Sequence, residues 1–392
     1  MGGIKDKVAV IGMGCTRFGE RWDASREDLI IEAVQEALED SGLTIDDIDA
    51  FWFSSYYEFC GYTISRVLKT QFKPVTRVEN NCCSGAEAFR NACYGVASGA
   101  YKVVMAIGLE KLKDNGMSGN PDPSAYKDNV SPTFGGPGGF SLLIPAYCKK
   151  YNVKFEDLRE AMAHVAYKNH YNGSLNPKAM YRKEVPLEKI HTSPMVCAPY
   201  LSIMDSSGVS DGCACAILVS ADDAHAYRPD PMYVKAAEMT SASGYGMLHS
   251  GYDYTSVQES YWAAVQAYKA AGITDPSKQL SLVELHDCFT ITEIVLYEDL
   301  MLSERGQGWR DSLDGKYMLN GELPVNIDGG LKSFGHPIGA SGIRMLYESW
   351  LQFHGRAGKR QLANPQLGLA HNLGGYPWEC VSSVTIVGKE KG

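Results

Sequence analysis

The sequence predicts an α/β protein built from two related halves, on three observations. Strand-like apolar runs alternate with amphipathic helical stretches along most of the 392 residues. The order of these runs in the first half recurs in the second, as an internal duplication does. Between the halves, residues 114–195 turn Gly-, Pro-, Asn- and Ser-rich yet keep helical segments, which predicts an inserted loop domain over a binding cleft.

Taken in order, "KVAVIGMG" (7–14) reads as a buried strand. A helix follows, with Ser25 as N-cap and Glu27 and Asp28 in the first turn, where acidic groups meet the positive end of the helix dipole. Leu29, Ile30, Ala33, Val34, Ala37 and Leu38 keep helical spacing, and Gly42 stops the run. "AFWFSS" is the next strand, "VTRVENNCCSGAEAFRNACYGVASGA" is strand, turn and helix, and "YKVVMAIG" is a strand again. In the second half "QAYKAAGIT" (266–274) echoes "EALEDSGLT" (36–44), and "SLVELHD" echoes "DAFWFSS". "GASGIRMLYESW" (339–350) echoes the helix opening at "CCSGAEAFRNACYG", and "VSSVTIVG" echoes "YKVVMAIG". Helical segments around "SLLIPAYCKKY" and "EDLREAMAHVAYKNHY" punctuate the insertion, and "GCACA" (212–216) reads as a buried strand returning to the first unit. The divisions expected are 1–113 plus 196–228 for the first half, 114–195 for the loop domain and 229–392 for the second half.

Composition narrows the function. A net charge of −9 argues against a broad nucleic-acid surface. No run of about eighteen apolar residues suggests a spanning helix, and the N-terminal stretch shows no secretory pattern. Asp6 stands where a myristoylation motif has Ser or Thr. A soluble, cytoplasmic protein is the expectation. The eleven cysteines are irregularly spaced, without Cys-x-x-Cys, so neither a disulfide framework nor a zinc knuckle fits. Most read as reduced core residues.

Four stretches carry polar groups in glycine-rich or apolar settings: "ENNCCSGAEAF" (79–89), "ELHDCFTITE" (284–293), "LKSFGHPIGASG" (331–342) and "LAHNLGGYPWE" (369–379). Adjacent cysteines rarely bond to each other, because a vicinal disulfide is strained. A reactive thiol at a helix N-terminus is the better reading of Cys82, since the free N–H groups there favour thiolate. The other three stretches fall at predicted strand ends, where loops of an α/β sheet collect ligands. His286, Cys288, His336 and Asn372 are therefore expected to converge on Cys82, a thiol with bases at hand.

Cys-x-Ser-Gly, His-Asp-Cys-Phe, Gly-His-Pro-x-Gly-Ala-Ser-Gly and His-Asn-x-Gly-Gly, in that order along the whole chain, resemble the thiolase superfamily, and more narrowly its sterol-carrier-type (SCP-x-like) branch. The resemblance implies the thiolase fold, duplicated βαβαβαββ halves in a five-layer α-β-α-β-α core. It implies a CoA-dependent acyltransferase that cleaves a 3-oxoacyl-CoA by thiolysis, or runs the reverse Claisen condensation, through a cysteine acyl-enzyme. Cys82 would be the nucleophile and His336 its base. His286 would be a second donor to the thioester oxygen, where charge develops in Claisen chemistry. Backbone N–H groups of Cys82 and Gly374 would hold the acyl-enzyme oxygen.

The best-known thiolases carry Cys-x-Gly where this chain has Asn372-Leu373-Gly374. Cys288 would supply the missing acid/base thiol, as in the sterol-carrier-type branch, and Cys83 would only pack. Coenzyme A is the implied cosubstrate, with no permanently bound cofactor and no metal. Lys168, Lys178, Arg182 and Lys183 are cations at hand for its phosphates, none of them assigned, while "NPKAM" and "FGGPGGF" would shape the pantetheine and acyl tunnel. A homodimer and a separate small partner with an OB-fold and zinc ribbon are also implied. The opening "VAVIGMGCTRFGERWD" and closing "HNLGGYPWECVSSVTIVG" are similar to two-component thiolases of anaerobic bacteria, one of which splits benzoylsuccinyl-CoA into benzoyl-CoA and succinyl-CoA. The alternatives are an acetoacetyl-CoA thiolase, a ketosynthase-like acyltransferase, which would lack the second thiol, and a non-catalytic acyl-CoA-binding subunit.

Overall fold

The computed structural model describes residues 3–116, 135–244 and 251–392. Most of the Gly/Pro-rich stretch 115–134 lies outside these residues, and with it the first residue of "FGGPGGF".

The first half runs β1 (Val8–Cys15), α1 (Arg26–Ser41), β2 (Ala50–Ser54), α2 (Tyr62–Leu68), β3 (Val75–Val78), α3 (Ser84–Ala97) and β4 (Val103–Glu110). The helices α4 (Gly136–Ser141), α5 (Leu143–Tyr151) and α6 (Phe155–Ser174) come next, then a short hairpin of β5 (Met195–Cys197) and β6 (Leu201–Ser202). The chain re-enters the first-half sheet at β7 (Gly212–Ser220). The second half runs β8 (Met232–Ser241), α7 (Gln258–Ala271), β9 (Leu282–Glu284), α8 (Thr290–Asp299), α9 (Ser341–Phe353), β10 (Leu367–Tyr376) and β11 (Glu379–Gly388).

Local chemistry sets these boundaries. The Ser25 side chain accepts from the Asp28 N–H at 3.1 Å, and the Asp28 carboxylate accepts from the Ser25 N–H at 2.9 Å, which closes a capping box. Gly42 ends the helix at φ 73°, a left-handed conformation that glycine adopts without strain.

The strands lie in the order β3-β2-β4-β7-β1-β8-β11-β10-β9, with β3, β2 and β4 parallel, β9 parallel to β10, and the remaining pairs antiparallel. Only Ala9–Tyr233 and Val10–Met232 join β1 to β8. The ladder is thus two half-sheets meeting at a narrow seam. In the second half a single bridge, Val283 to Val325, stands where β3 stands in the first.

Each half-sheet is covered on both faces, which explains its continuous apolar runs. In β7, Cys213, Cys215, Ile217 and Val219 face the core shared with α1, whereas Ala214, Ala216 and Leu218 face the central core. Helices α3 and α9 fill that central layer, and α7 covers the far face of the second half-sheet. The result is the five-layer α-β-α-β-α arrangement of the thiolase fold.

The two central helices touch through glycines at their N-termini. A Cβ on Gly85 would lie 2.7 Å from the Gly339 carbonyl, and one on Gly342 would lie 2.4 Å from the Ala86 nitrogen. "CSGA" and "GASG" are therefore two sides of one contact, which draws the residue groups preceding α3 and α9 together. Fully buried Arg344, one turn into α9, pairs with Glu284 of β9 at 3.3 Å and with Asp328. Such a pair stabilises little by itself, but removing one partner leaves a buried charge that costs about 3–5 kcal/mol.

Candidate active site

The loops at the ends of β3, β9, α9 and β10 surround one cavity of about 760 Å³. Cys82, His286, Cys288 and His336 line it, with Gly375 and Tyr376 from β10.

Cys82 sits in the turn that launches α3. Asn81 is left-handed at φ 51°, and the Ser84 hydroxyl donates to the Asn81 carbonyl at 2.6 Å and accepts from the Asn80 N–H at 2.7 Å. Cys83 points the other way, into the core, and donates to the Asn372 carbonyl and the Ser383 hydroxyl, both at 3.3 Å. This fixes the turn and leaves Cys82 toward the cavity. Gly374 backs the turn so closely that a Cβ there would lie 2.2 Å from the Asn80 carbonyl and 3.2 Å from the Cys82 nitrogen.

Ligand atoms of Cys82, His286 and His336 all lie within 4.8 Å of one another. The two imidazoles meet edge to face, with centroids 5.3 Å apart. The His336 tautomer follows from its neighbours. The Ser341 hydroxyl donates to the Pro337 carbonyl at 3.0 Å, so it accepts from His336 Nδ1–H at 2.8 Å. His336 Nε2 is left as a bare lone pair, buried and without a partner. Cys288 lies next to Thr292, Sγ to hydroxyl 3.8 Å.

Burial sets the charge state. It pushes the Cys82 thiol up to about 12, with the Cys83 thiol and the Glu110 and Glu79 carboxylates adding to the effect. Burial and then the Arg344 charge hold His336 down at about 3, and burial with His336 beside it holds His286 well below the ordinary imidazole value. Burial, then Cys82, raises Cys288 well above a free thiol. The resting site is therefore two thiols facing two neutral imidazoles. Desolvation thus opposes the thiolate that the helix N-terminus favours.

Other sequence expectations divide. Asn372 is buried beside the cavity but does not line it. Of the four cations, Lys168 is buried in an ion pair with Glu293 at 2.6 Å, and Lys178 is held by Glu36 at 2.6 Å and the Cys15 carbonyl. Neither is free for a phosphate. Exposed Arg182 and Lys183 do line the cavity, as do Met180 of "NPKAM" and Gly136, Pro137 and Phe140 of "FGGPGGF".

Two positioning devices escaped sequence reading. Glu110, buried and raised by desolvation to about 7, accepts from the Ser55 hydroxyl at 2.8 Å and the Gly339 N–H at 3.0 Å, tying the end of β4 to the loop of His336. Asp287 accepts from Asn169 at 2.8 Å and from the Leu331 and Lys332 N–H groups at 2.6 and 3.0 Å, fixing the loop of His286 against α6. An Asp between two singled-out residues was the available signal.

A thiol facing two imidazoles, with a second thiol in the same cavity, is gathered where two duplicated α/β halves meet, an arrangement suited to passing an acyl group through cysteine. Comparison with known proteins specifies the class. Residues 8–196 match the thiolase N-terminal domain family, and residues 240–388 match the thiolase C-terminal domain-like family. The chain is 38% identical over 375 residues to an acetyl-CoA acetyltransferase of Methanothermobacter thermautotrophicus, covering 94% of this chain and 96% of that one. It is 29% identical to sterol carrier protein 2 of Bos taurus, over 95% of this chain and 70% of that one.

Two solved structures share the fold. The Ltp2–ChsH2(DUF35) aldolase superposes with a TM-score of 0.83 at 22% identity, covering 99% of both chains. Human mitochondrial 3-ketoacyl-CoA thiolase superposes with a TM-score of 0.71 at 17% identity, covering 98% of this chain and 99% of that one. The chain belongs to the thiolase superfamily, in its SCP-x-like branch. It is a CoA-dependent thiolase, an acyltransferase.

Proposed function

We propose that this thiolase cleaves a bulky, aryl-bearing 3-oxoacyl-CoA, such as benzoylsuccinyl-CoA, by thiolysis, and that Cys82, His286, Cys288, His336 and Gly374 carry the reaction. The observation behind the residue roles is the approach of Cys82, His286 and His336 to within 4.8 Å in a cavity that also holds Cys288. The bare Nε2 of His336 takes the Cys82 proton as the sulfur attacks the 3-oxo carbon. The resulting imidazolium and His286 then face developing negative charge, where preorganised donors are worth most. When the C2–C3 bond breaks, Cys288 donates the proton that the C2 carbanion needs. CoA thiol then resolves the acyl-enzyme, with the Cys82 and Gly374 N–H groups toward its carbonyl oxygen. Coenzyme A is thus consumed as cosubstrate, with no resident cofactor in the scheme.

The aryl preference rests on an aromatic wall. Phe140 lies 5.1 Å from Phe289 and 6.3 Å from Tyr376, ring centre to ring centre, and all three line the cavity. A second reading, acetoacetyl-CoA thiolysis, is favoured by the name of the relative at 38% identity. Intact mass spectrometry after exposure to a panel of 3-oxoacyl-CoAs separates the two by the acyl mass retained. Cys82→Ser should retain none. Cys288→Ala should still be acylated by a simple acyl-CoA yet lose carbon–carbon cleavage by about 10²–10⁴-fold, as loss of a positioned acid/base does. Near-parental cleavage by Cys288→Ala would assign the proton to another group.

A further inference from the structure

One wall of the cavity carries polar groups that the thiolysis scheme leaves unused. Lys332, four residues before His336, lines the cavity and is only 3% exposed. No hydrogen bond or ion pair engages its ammonium among the described residues. The two acids that act on it electrostatically are otherwise engaged. Asp205 accepts from Arg159 at 2.6 Å, from the Ser202 N–H and hydroxyl at 2.7 and 2.6 Å, and from Thr290 at 2.8 Å. Asp287 takes Asn169 and two backbone N–H groups.

His170 of α6 lines the same cavity, is 3% exposed, and has a partner on neither ring nitrogen. Lys332 lies 5.9 Å from the Tyr181 ring centre, and His170 lies 5.9 Å from it as well. Burial and the Lys332 charge keep His170 neutral, a polar N–H beside a cation. Burial lowers Lys332 itself only to about 8, so it remains largely an ammonium at neutral pH. An unpaired buried charge is costly, and an ammonium with an imidazole N–H beside it suits a carboxylate, which accepts several charge-assisted hydrogen bonds.

We infer that Lys332 and His170 form a subsite for a carboxylate carried on the acyl chain, so that the substrates are acyl-CoA thioesters with a second, free carboxylate. This rests on the thiolase reading above and specifies its substrate class. CoA itself offers anions, but exposed Arg182 and Lys183 already face the cavity for those.

Titration calorimetry on the Cys82→Ala enzyme compares succinyl-CoA with valeryl-CoA, nearly its isostere, which carries the same phosphates and no carboxylate. Succinyl-CoA should bind roughly 10–100-fold tighter, the range expected of a hydrogen bond to a charged group. The ratio should fall to about one in Lys332→Met, persist in Lys332→Arg and shrink in His170→Phe. A ratio near one in the parent, or a ratio that survives Lys332→Met, overturns the subsite. Equal weakening of both ligands by Lys332→Met assigns the lysine to the CoA phosphates instead, and also overturns it. The thiolase reading fails separately, if wild-type Cys82 retains no acyl mass from any 3-oxoacyl-CoA of the panel.

Discussion

At the scale of single residues, the site stores its reactivity in neutral form. With Cys82 raised to about 12 and His336 held at about 3, proton transfer from one to the other is uphill until substrate charge draws it. Iodoacetamide alkylation of Cys82 in the free enzyme should therefore rise about tenfold per pH unit from about pH 7 to about pH 9 without a plateau, because the thiolate fraction grows throughout that window. Peptide mapping across pH reads this directly, and a plateau near neutrality would show a resting thiolate. Cys82, His286, Cys288 and His336 were legible in the sequence because each sits among glycines or beside other polar residues, where packing alone gives no reason for such groups; the strand end expected before His336 is instead a short helix, Gly330–Ser333. Helix position is visible in a sequence and desolvation is not, so the burial that opposes the Cys82 thiolate was not legible there. The engagement of Lys168 and Lys178 was hidden for a related reason, since their partners, Glu293 and Glu36, lie more than a hundred residues away.

At the scale of elements, the nucleophile's placement depends on what is missing behind it. Gly374 carries no positive φ, so alanine would suit its backbone, yet the added methyl would enter the Asn80 carbonyl at 2.2 Å. Gly374→Ala should shift the Cys82 turn, lower the melting temperature by an overpacking penalty of about 1–3 kcal/mol, and reduce acylation more than CoA binding. Thermal melts and acyl-enzyme formation test the two effects independently. If acylation keeps pace with the parent, the turn has moved without carrying the sulfur. The strand-and-helix order of both halves was legible from periodicity and repetition. The bridge at Val325 was not, because one residue pair leaves no periodic trace.

At the scale of the whole molecule, β3 ends the strand order with one side unpaired among the described residues, and exposed Phe72 and Tyr94 lie on segments around it. An open edge with apolar neighbours invites closure by a second copy. Light scattering should give a homodimer, and Phe72→Asp should shift it toward monomer; a monomeric parent at micromolar concentration would contradict this. Purification from the native host should also bring down the small OB-fold, zinc-ribbon partner that the sequence resemblance implies, and full activity of the chain alone would contradict that expectation. No described helix is long and apolar enough to cross a membrane. The glycine packing between α3 and α9 bears on ancestry as well as geometry. Each half supplies the ceiling of the other's steric space at Gly85, Gly339 and Gly342, and no smaller amino acid exists to make room for a side chain gained on the opposite side. Once duplicated copies had met this closely, no compensating substitution stayed open to either of them at these positions. The halves were free to diverge in chemistry, one supplying Cys82 and the other His286, Cys288 and His336, but bound to remain twins where they touch.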